Sequence, residues 1–394
     1  MWEKQHFLIG VTGGIAAYKT VDLISRLKKK GADVTVIMTR NAKEFVSPLT
    51  FQTISQNRVY TELFEEDWDV RHISLAKKGN VLAVVPATAN FINKAAHGLA
   101  DDLLSTVFLA FKGKKILVPS MNVNMFDNPI TCKSLNMLKK LGCYIIEPEE
   151  GFLACGDVGK GRLPETETII EEFEYVISKK DLMGKKILVT AGPTIEPIDP
   201  VRYITNRSSG KMGYAVARAA RNRGADVILI SGPTHIPPPC RVKLIRVETA
   251  QQMFERVVEH FHEVDIVIKA AAVCDFKPKS TRGDKIKKTD VDFKLVLVQN
   301  KDILYELGRM KQKQILVGFA AETRELFKNA RQKLVKKNLD MVIANDVSRA
   351  DTGFASDYNK INIIYNTGEI EGLEKNTKEN LANLILDRVV EHYC

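Results

Sequence analysis

The order strand, glycine turn, helix, strand appears at the start of this chain and restricts the folds open to it. An apolar, strand-like run over 7–11 leads into Gly13-Gly14, and a helical pattern of apolar residues follows over 15–30. A second apolar run then covers 34–38. This succession is a βαβ unit, whose two strands are parallel, so we expect a parallel sheet covered by helices.

The same pattern restarts at residue 185. A strand-like run over 185–191 is followed by a predicted helix over 210–223 and a predicted strand over 227–230. The turn Gly-Ala-Asp-Val occupies equivalent places in both units. Two copies of one architecture would explain this repetition, and shared turn chemistry would explain it equally well. We predict an α/β protein with two doubly wound, Rossmann-like domains over 1–184 and 185–394.

Further strands and helices alternate along both halves. Strands are predicted at 81–85, 116–118 and 144–146, and then at 266–270, 316–319, 341–344 and 361–365. Helices are predicted at 88–97, 101–111, 131–141, 165–180 and 379–393. Because ligands of such sheets bind beyond the carboxyl ends of the strands, the segments that follow strands are where a site is expected.

Length, composition and cysteine spacing exclude several classes of protein. At 394 residues the chain is longer than one hydrophobic core usually supports, which agrees with two domains. No apolar run approaches the roughly 20 residues of a membrane-spanning helix. The six cysteines form no CxxC pair, and the net charge of +10 is spread along helices without a nucleic-acid-binding signature. Since the N-terminus lacks a signal-peptide pattern, we expect a cytoplasmic protein that binds neither membrane nor nucleic acid.

Several segments of the first half combine small residues with polar groups. Gly13-Gly14 offers backbone N–H groups to a phosphate at a helix start, although such turns often only connect elements. His72 opens a predicted helix, and Asn122 follows a strand, where a helix cap is the alternative to a ligand contact. The segment 151–162 places four glycines around Cys155, a composition that suits a mobile flap.

In their order, the segments GGIAAYK, RHISLA, PATAN, PSMNVNM and ACGDVGKGR resemble the phosphopantothenoylcysteine decarboxylase part of the bacterial bifunctional coenzyme A enzymes. The resemblance covers 5–180 and implies a flavodoxin-like flavoprotein domain. It implies that FMN binds at Gly13, Gly14, Ala16, Thr39, Thr88 and Ser105. It also implies that His72 is an active-site histidine, that Asn122 binds the substrate carboxylate and that Cys155 on the flap donates a proton.

Two polar segments of the second half suit a nucleotide. The run Ser208-Ser209-Gly210-Lys211 precedes a predicted helix and combines free N–H groups with a lysine, while a serine-capped ordinary helix is the alternative. It does not have the spacing of a Walker motif. The run Lys285-Ile286-Lys287-Lys288 places three ammonium groups in a loop after a strand, where a solvated charge run is the alternative.

The ordered segments AGPTIEPIDPVRYITNRSSGKMG, AAVCDF, DKIKK, VGFAAET and KKNLDMVIANDV resemble the phosphopantothenate-cysteine ligase part of the same enzymes over 185–375. The resemblance implies that Asn206 and Lys285 are catalytic, with Asn206 activating an acyl intermediate. It implies a CTP site made of Gly192, Ser208, Gly210, Lys269, Ala270, Ala271, Asp275, Lys285, Lys301, Asp302, Ile303, Leu304, Phe319, Lys333 and Lys337. It assigns no metal ligands.

Together the two resemblances imply a bifunctional enzyme of coenzyme A biosynthesis. CTP, with Mg²⁺ or Mn²⁺, would drive condensation of 4′-phosphopantothenate with cysteine through an acyl-cytidylate, and FMN would support decarboxylation of the product. The families also imply a homo-oligomer, a dodecamer built from trimers of the flavin domain and dimers of the ligase domain.

Two other function classes stay open on the residues themselves. A two-domain nicotinamide-dependent dehydrogenase would suit two doubly wound domains, but it requires a GxGxxG fingerprint that neither half contains. A non-catalytic flavin-binding scaffold would keep the fold without the chemistry, and the presence of His72, Asn122, Cys155 and Lys285 together argues against it.

Overall fold

The chain forms two compact units, Met1–Ser178 and Lys179–Cys394. The structure, a computed structural model, describes residues 2–64, 70–152, 156–287, 294–322, 326–346 and 356–394. Within these ranges no helix has both the length and the apolar character that crossing a lipid bilayer requires.

The first unit is built on a parallel sheet and a separate hairpin. Its strands are β1 (His6–Val11), β2 (Asp33–Met38), β3 (Val59–Tyr60), β4 (Val81–Ala87), β5 (Lys114–Pro119), β6 (Tyr144–Ile145), β7 (Glu149–Phe152) and β8 (Val158–Arg162). The sheet has the order β3-β2-β1-β4-β5-β6, and β7 and β8 pair antiparallel outside it. Without the two-residue edge strand β3 this is the flavodoxin-like order, whose topological switch point lies between β1 and β4.

Helices cover both faces of this sheet. They are α1 (Ala17–Lys29), α2 (Pro48–Ser55), α3 (Arg71–Lys78), α4 (Ala89–His97), α5 (Leu103–Ala110), α6 (Val123–Phe126), α7 (Pro129–Lys140) and α8 (Thr166–Ile177). Phe7 and Ile9 of β1 belong to one apolar cluster, while Leu8 between them belongs to another. Because successive side chains of a strand point to opposite faces, both faces of the sheet are buried, as expected of a doubly wound fold.

The second unit repeats this plan with additions. Its strands are β9 (Lys186–Ala191), β10 (Ile195–Pro197), β11 (Tyr203–Thr205), β12 (Asp226–Ser231), β13 (Lys243–Arg246), β14 (Ile266–Lys269), β15 (Phe276–Pro278), β16 (Leu297–Gln299), β17 (Ile315–Glu322), β18 (Met341–Asp346), β19 (Tyr358–Tyr365) and β20 (Ile370–Thr377). Its helices are α9 (Lys211–Asn222), α10 (Ala250–Phe261), α11 (Ile303–Met310), α12 (Leu326–Lys336) and α13 (Lys378–Tyr393). Eight strands form one sheet in the order β13-β12-β9-β14-β17-β18-β19-β20, and β10 with β11 and β15 with β16 form small antiparallel pairs.

The edge of the second sheet departs from the parallel pairing of its other strands. The strand predicted at 361–365 is present as part of β19, but it runs antiparallel to β18, and β20 runs antiparallel to β19. A short turn containing Gly368, rather than a crossover helix, joins these two strands. Hydrophobic periodicity identifies a strand but not the direction of its neighbour, so the sequence did not indicate this antiparallel edge.

The other predicted helices and strands are present, with ends displaced by a few residues. For example, the helix predicted over 165–180 spans Thr166–Ile177, and the one predicted over 101–111 spans Leu103–Ala110. Helix α10 was not predicted, although Thr249 and Gln252 form a capping box at its start. Such a pair three residues apart before an apolar periodic segment is a sequence signal for a helix start.

Candidate active sites

A cavity of about 1260 Å³ opens in the first unit beyond the ends of the central strands. Its walls include the Gly13-Gly14 turn after β1, residues 39–41 after β2, residues 88–91 around the start of α4 and residues 120–122 after β5. The walls therefore come from the carboxyl ends of four parallel strands, where sheets of this class bind ligands. The cavity can accept a molecule of cofactor size, since small-molecule pockets typically measure about 300–1,000 Å³.

Thr12 joins the two loops that meet at the switch point. Its buried hydroxyl donates a hydrogen bond to the Pro86 carbonyl at 2.7 Å and accepts one from the Thr88 N–H at 3.1 Å. Thr88 is the N-cap residue of α4, yet its side chain makes no capping hydrogen bond. The loops after β1 and β4 are thereby held together, with the start of α4 facing the cavity.

The Gly13 position requires a residue without a side chain. A Cβ atom at Gly13 would lie 2.5 Å from the Asn41 Cβ and 2.9 Å from the Asn41 carbonyl carbon. The turn after β1 therefore packs directly against the segment after β2, and Thr39 and Asn41 reach the same cavity. This explains the small residues of the motif by close approach of two backbones.

Most of the predicted FMN-binding residues meet at this cavity. Those that line it are Gly13, Gly14, Ala16, Thr39 and Thr88, together with Asn122. Ser105 is not among the described lining residues: it is buried in the capping box of α5, where it bonds with Asp102. His72, the second residue of α3, is partly exposed and likewise does not line the cavity as described. Cys155 lies outside the described residues.

Asn122 combines a capping role with a contact to the β7–β8 hairpin. Its side-chain oxygen accepts from the Asn124 N–H at 2.8 Å and caps α6. A helix cap was the alternative to a ligand contact that the sequence left open for this residue. Its side-chain nitrogen donates to a carboxylate oxygen of Asp157 at 2.6 Å. The amide oxygen is thus used by the helix, while the amide nitrogen is directed at a carboxylate.

In the second unit the switch point lies between β9 and β14. The Ala270 and Ala271 N–H groups donate to the Thr190 carbonyl and hydroxyl, both at 3.2 Å. The helix α9 begins beside this point, because Gly210 at its N-cap has φ of 80° and a Cβ there would lie 3.3 Å from the Gly192 Cα. The predicted residues Gly192, Gly210, Ala270 and Ala271 therefore lie around the same end of the sheet.

Lys269, the last residue of β14, lies within a group of charged side chains. Burial and the ammonium groups of Lys333 and Lys337 lower the pKa of Lys269 to about 7, although the Asp302 and Asp275 carboxylates oppose this shift. Lys337 forms an ion pair with Asp302 at 2.6 Å. When Lys269 is protonated, three ammonium groups against two carboxylates create a positive field suited to a polyanion.

The remaining predicted nucleotide-binding residues have several different environments. The Lys333 ammonium donates to the Phe319 carbonyl at 2.6 Å. Ile303 and Leu304 are 2% and 1% exposed, so their side chains belong to the core and only their backbone at the start of α11 can meet a ligand. Lys301 lies over the Phe254 ring, 4.8 Å from its centroid. The Ser208 hydroxyl accepts from the Gly210 N–H at 3.3 Å.

Comparisons with known proteins divide the chain in the same way as the structure. The flavoprotein family model matches residues 1–178, and the model of the DNA/pantothenate metabolism flavoprotein C-terminal domain matches residues 182–393. The chain is 46% identical to the coenzyme A biosynthesis bifunctional protein CoaBC of Bacillus subtilis, over 99% of this chain and 97% of that protein. The chain belongs to this family of bifunctional proteins.

Other members of the bifunctional family are similarly related. The CoaBC protein of Escherichia coli is 41% identical over 98% of this chain and 97% of its own length. The crystal structure of the C-terminal domain of a CoaBC protein is 45% identical, covers 54% of this chain and 97% of that chain, and has a TM-score of 0.47. The full-length matches support neither a nicotinamide-dependent dehydrogenase nor a scaffold.

Asn206 and Lys285, the catalytic residues implied by the resemblance to this bifunctional family, follow two small antiparallel strands. Asn206 comes directly after β11, and its side-chain nitrogen donates to the Ala272 carbonyl at 3.1 Å. Lys285 is exposed in the loop after β15, and Lys288 of the same motif lies outside the described residues. Asn206 is thereby attached to the loop that leaves β14 at the switch point.

Sequence reasoning missed several residues that line the cavity of the first unit. They are Thr12, Lys19, Asn41, Lys94 and Arg162. Lys19 and Arg162 both pair with Glu165, which keeps two cations at one side of the cavity. Lys19 and Arg162 end the GGIAAYK and ACGDVGKGR segments, so the segments contained the signal, although no role was assigned to these two positions.

No group of three or more His, Cys, Asp or Glu side chains suited to a metal ion occurs in the described part of the chain.

Proposed function

We propose that this chain catalyses two consecutive steps of coenzyme A biosynthesis. The second unit joins 4′-phosphopantothenate to cysteine at the expense of CTP, and the first unit decarboxylates the resulting 4′-phosphopantothenoylcysteine with FMN to give 4′-phosphopantetheine. The relatives named above are coenzyme A biosynthesis bifunctional proteins over almost their whole length. The observation that carries the proposal is that each unit has its own candidate site at its own switch point.

The first-unit cavity fits a flavin mononucleotide. Gly13, Gly14 and Ala16 leave space for a ligand beside the start of α1, and Thr39 and Thr88 supply hydroxyl groups. A phosphate at the α1 N-terminus would also meet the positive end of the helix dipole. When bound, FMN would supply reversible two-electron oxidation of the substrate, which provides a sink for the electron pair that CO₂ leaves behind and keeps the overall reaction redox-neutral.

The chain's own groups orient the substrate of the decarboxylation. Asn122 donates from its amide to a carboxylate, at present that of Asp157 at 2.6 Å, which supports its assignment to the substrate carboxylate. Lys19 and Arg162 line the same cavity and suit the phosphate of the substrate. We assign Cys155 as the acid that protonates the substrate carbon after CO₂ has left, and His72 as a group that assists proton movement.

In the second unit the charged cluster at Lys269 is the assigned CTP phosphate site. A carboxylate oxygen of 4′-phosphopantothenate attacks the α-phosphorus, pyrophosphate leaves, and the amine of cysteine then displaces CMP and loses a proton as the amide forms. Negative charge develops on phosphorus and on the acyl oxygen during these steps, so cations and an amide donor placed there accelerate them. We assign these roles to Lys269, Lys333 and Lys337 on the phosphates, and to Asn206 and Lys285 at the acyl group.

The proposal is tested by one preparation and two assays. The purified chain is expected to show the visible absorbance of a flavin. With 4′-phosphopantothenate, cysteine, CTP and Mg²⁺ it is expected to release both CMP and CO₂. Cys155→Ser should still release CMP but lose CO₂ release, because only the decarboxylation needs the thiol. A colourless protein that releases neither product would refute the assignment of both units.

The finer expectations about assembly and location belong to the same proposal. We propose that the protein works in the cytoplasm as a homo-oligomer, a dodecamer in the arrangement that the resemblance implies. Light scattering of the purified protein measures its molar mass directly. A mass equal to that of one 44.2 kDa chain would contradict the oligomer.

A further inference from the structure

Asp199 is a buried carboxylate for which neither the sequence motifs nor the relatives supply a role. Its side chain has no solvent exposure, whereas the paired Arg202 side chain is 45% exposed. One carboxylate oxygen accepts from the Val201 and Arg202 N–H groups at 2.7 and 2.8 Å. The other accepts from the Arg202 guanidinium at 2.8 Å and from the Ile286 N–H at 3.2 Å.

The last of these bonds reaches the loop after β15 that contains Lys285, called the lysine loop below. Ile286 directly follows Lys285, and the Arg202 guanidinium donates to the Ile286 carbonyl at 3.2 Å. The peptide groups on both sides of Ile286 are therefore held by the Asp199–Arg202 pair. Earlier in the same loop, the Arg282 N–H donates to the Ile198 carbonyl at 3.0 Å, and the Thr281 hydroxyl donates to the Pro197 carbonyl at 3.3 Å.

The segment that holds the lysine loop also leads to Asn206. Residues 198–202 connect β10 to β11, and Asn206 is the residue after β11. One short hairpin therefore supports both residues that the proposed function places at the acyl group. A shift of its connecting turn would change the position of Lys285 relative to Asn206, and misplacement by about 1 Å can lower a rate about 100-fold.

The surroundings of Asp199 favour its ionised form. Burial by itself would raise the pKa of Asp199, but the backbone N–H groups of Val201, Ile286 and Arg202 and the nearby guanidinium outweigh it and hold that pKa below its usual range. An ionised carboxylate can accept all four of these hydrogen bonds, whereas a protonated one or an amide cannot.

We infer that Asp199 is a positioning residue of the ligase reaction, which fixes the backbone at Ile286 and thereby the position of Lys285 relative to Asn206. The inference rests on the proposed function of the second unit. It assigns Asp199 no contact with CTP or with either co-substrate. Its effect is therefore expected on kcat more than on the KM for CTP.

The test is Asp199→Asn in the full-length chain. The amide has nearly the same shape, but only one of its two polar atoms can accept. The bonds from the Ile286 N–H and from the Arg202 guanidinium are therefore lost, while those from the Val201 and Arg202 backbone N–H groups can remain. We expect kcat for CMP release to fall about 10- to 100-fold with a KM for CTP close to that of the wild type. Hydrogen exchange should become faster in the peptide containing 281–287 and stay unchanged in the sheet.

Asp340→Asn is the matched control. Asp340 is another largely buried carboxylate of the second unit, which accepts from the Leu316 N–H at 2.7 Å and pairs with Lys311 at 2.7 Å. It precedes β18 at the amino end of the strand, the opposite end of the sheet from the site. The control should lose stability without a selective loss of kcat.

Two outcomes would overturn the inference. One is a D199N enzyme whose kcat for CMP release stays within about twofold of the D340N enzyme. The other is faster exchange throughout the second unit, which would mean general unfolding rather than release of the loop. If the wild type releases no CMP at all, the proposed function fails instead, and the exchange measurement still tests whether Asp199 holds the lysine loop.

Discussion

Among single residues, Lys269 is the one whose protonation state should respond most directly to the proposed ligand, CTP. Its pKa of about 7 means that the side chain is largely neutral at pH 8 in the free protein. A bound triphosphate would favour the protonated form, so CTP binding at pH 8 should take up part of a proton. Titration calorimetry in two buffers with different ionisation enthalpies measures this uptake.

Lys269→Met should abolish most of the proton uptake. Lys311→Met serves as the matched control, because Lys311 pairs with Asp340 near the other end of the sheet and should leave the uptake intact. The downward direction of the pKa shift makes a second prediction. Between about pH 7 and the ordinary lysine pKa of 10.5 the unfolded chain binds more protons than the folded one, so the contribution of Lys269 to stability rises with pH in this range. An unchanged uptake in the Lys269 variant would assign the proton to another group.

Thr88 and Ser105 show what the sequence could and could not predict about a site residue. Both were assigned to FMN by resemblance, and both stand at the start of a helix that follows a loop. Thr88 makes no capping bond and lines the cavity, whereas Ser105 is held in a capping box with Asp102. The physical difference is that Ser105 has the Asp102 carboxylate within hydrogen-bond distance. Residue type alone does not reveal this, although Asp102 three residues earlier was a signal for a cap.

Among the elements, the β7–β8 hairpin packs closely against the loop that carries Asn122. The Met121 N–H donates to the Gly161 carbonyl at 3.0 Å, and a Cβ at Gly161 would lie 2.2 Å from the Met121 carbonyl oxygen. Gly161→Ala should therefore push β8 away from the Asn122 loop. We expect CO₂ release from 4′-phosphopantothenoylcysteine to fall at least about tenfold while CMP release by the second unit is unchanged.

Gly151→Ala is the control within the same hairpin. A Cβ at Gly151 would meet only the Arg162 side chain, at an ordinary contact distance of 3.4 Å. This variant should keep most of its CO₂ release. Equal losses in the two variants would mean that the hairpin tolerates no substitution at all, and would contradict a specific contact between Gly161 and Met121.

Length decided whether some elements were predicted, but not all, since the twelve-residue α10 and the eight-residue β20 were missed. The βαβ units were predicted because β1, α1 and β2 each contain enough residues for apolar periodicity to appear. The β10–β11 and β15–β16 pairs have three-residue strands, too short to show a period of two, and they were missed. The second-unit residues implied to be catalytic, Asn206 and Lys285, follow these short strands, so their support could not be foreseen.

At the scale of the whole molecule, the two units have separate cores and separate candidate sites. The apolar clusters of the first unit contain residues up to Phe173, and those of the second begin at Leu182. The expected boundary at 184 was placed from the restart of the strand pattern, and the structure divides the chain between Ser178 and Lys179. Independent cores predict that a defect in one site leaves the chemistry of the other site intact.

This independence is tested by mixing two full-length variants. Asn122→Asp keeps an acceptor for the Asn124 N–H that caps α6, but it turns the amide donor into a carboxylate that repels the substrate carboxylate. Lys285→Met removes the assigned ligase cation. We expect the first variant to release CMP without CO₂, and the second to decarboxylate added 4′-phosphopantothenoylcysteine without releasing CMP.

Neither variant alone should make 4′-phosphopantetheine from 4′-phosphopantothenate, cysteine and CTP, whereas the mixture should, because the intermediate can diffuse between chains. A mixture that stays inactive while each variant keeps its own half-reaction would show that both sites must be intact in one chain.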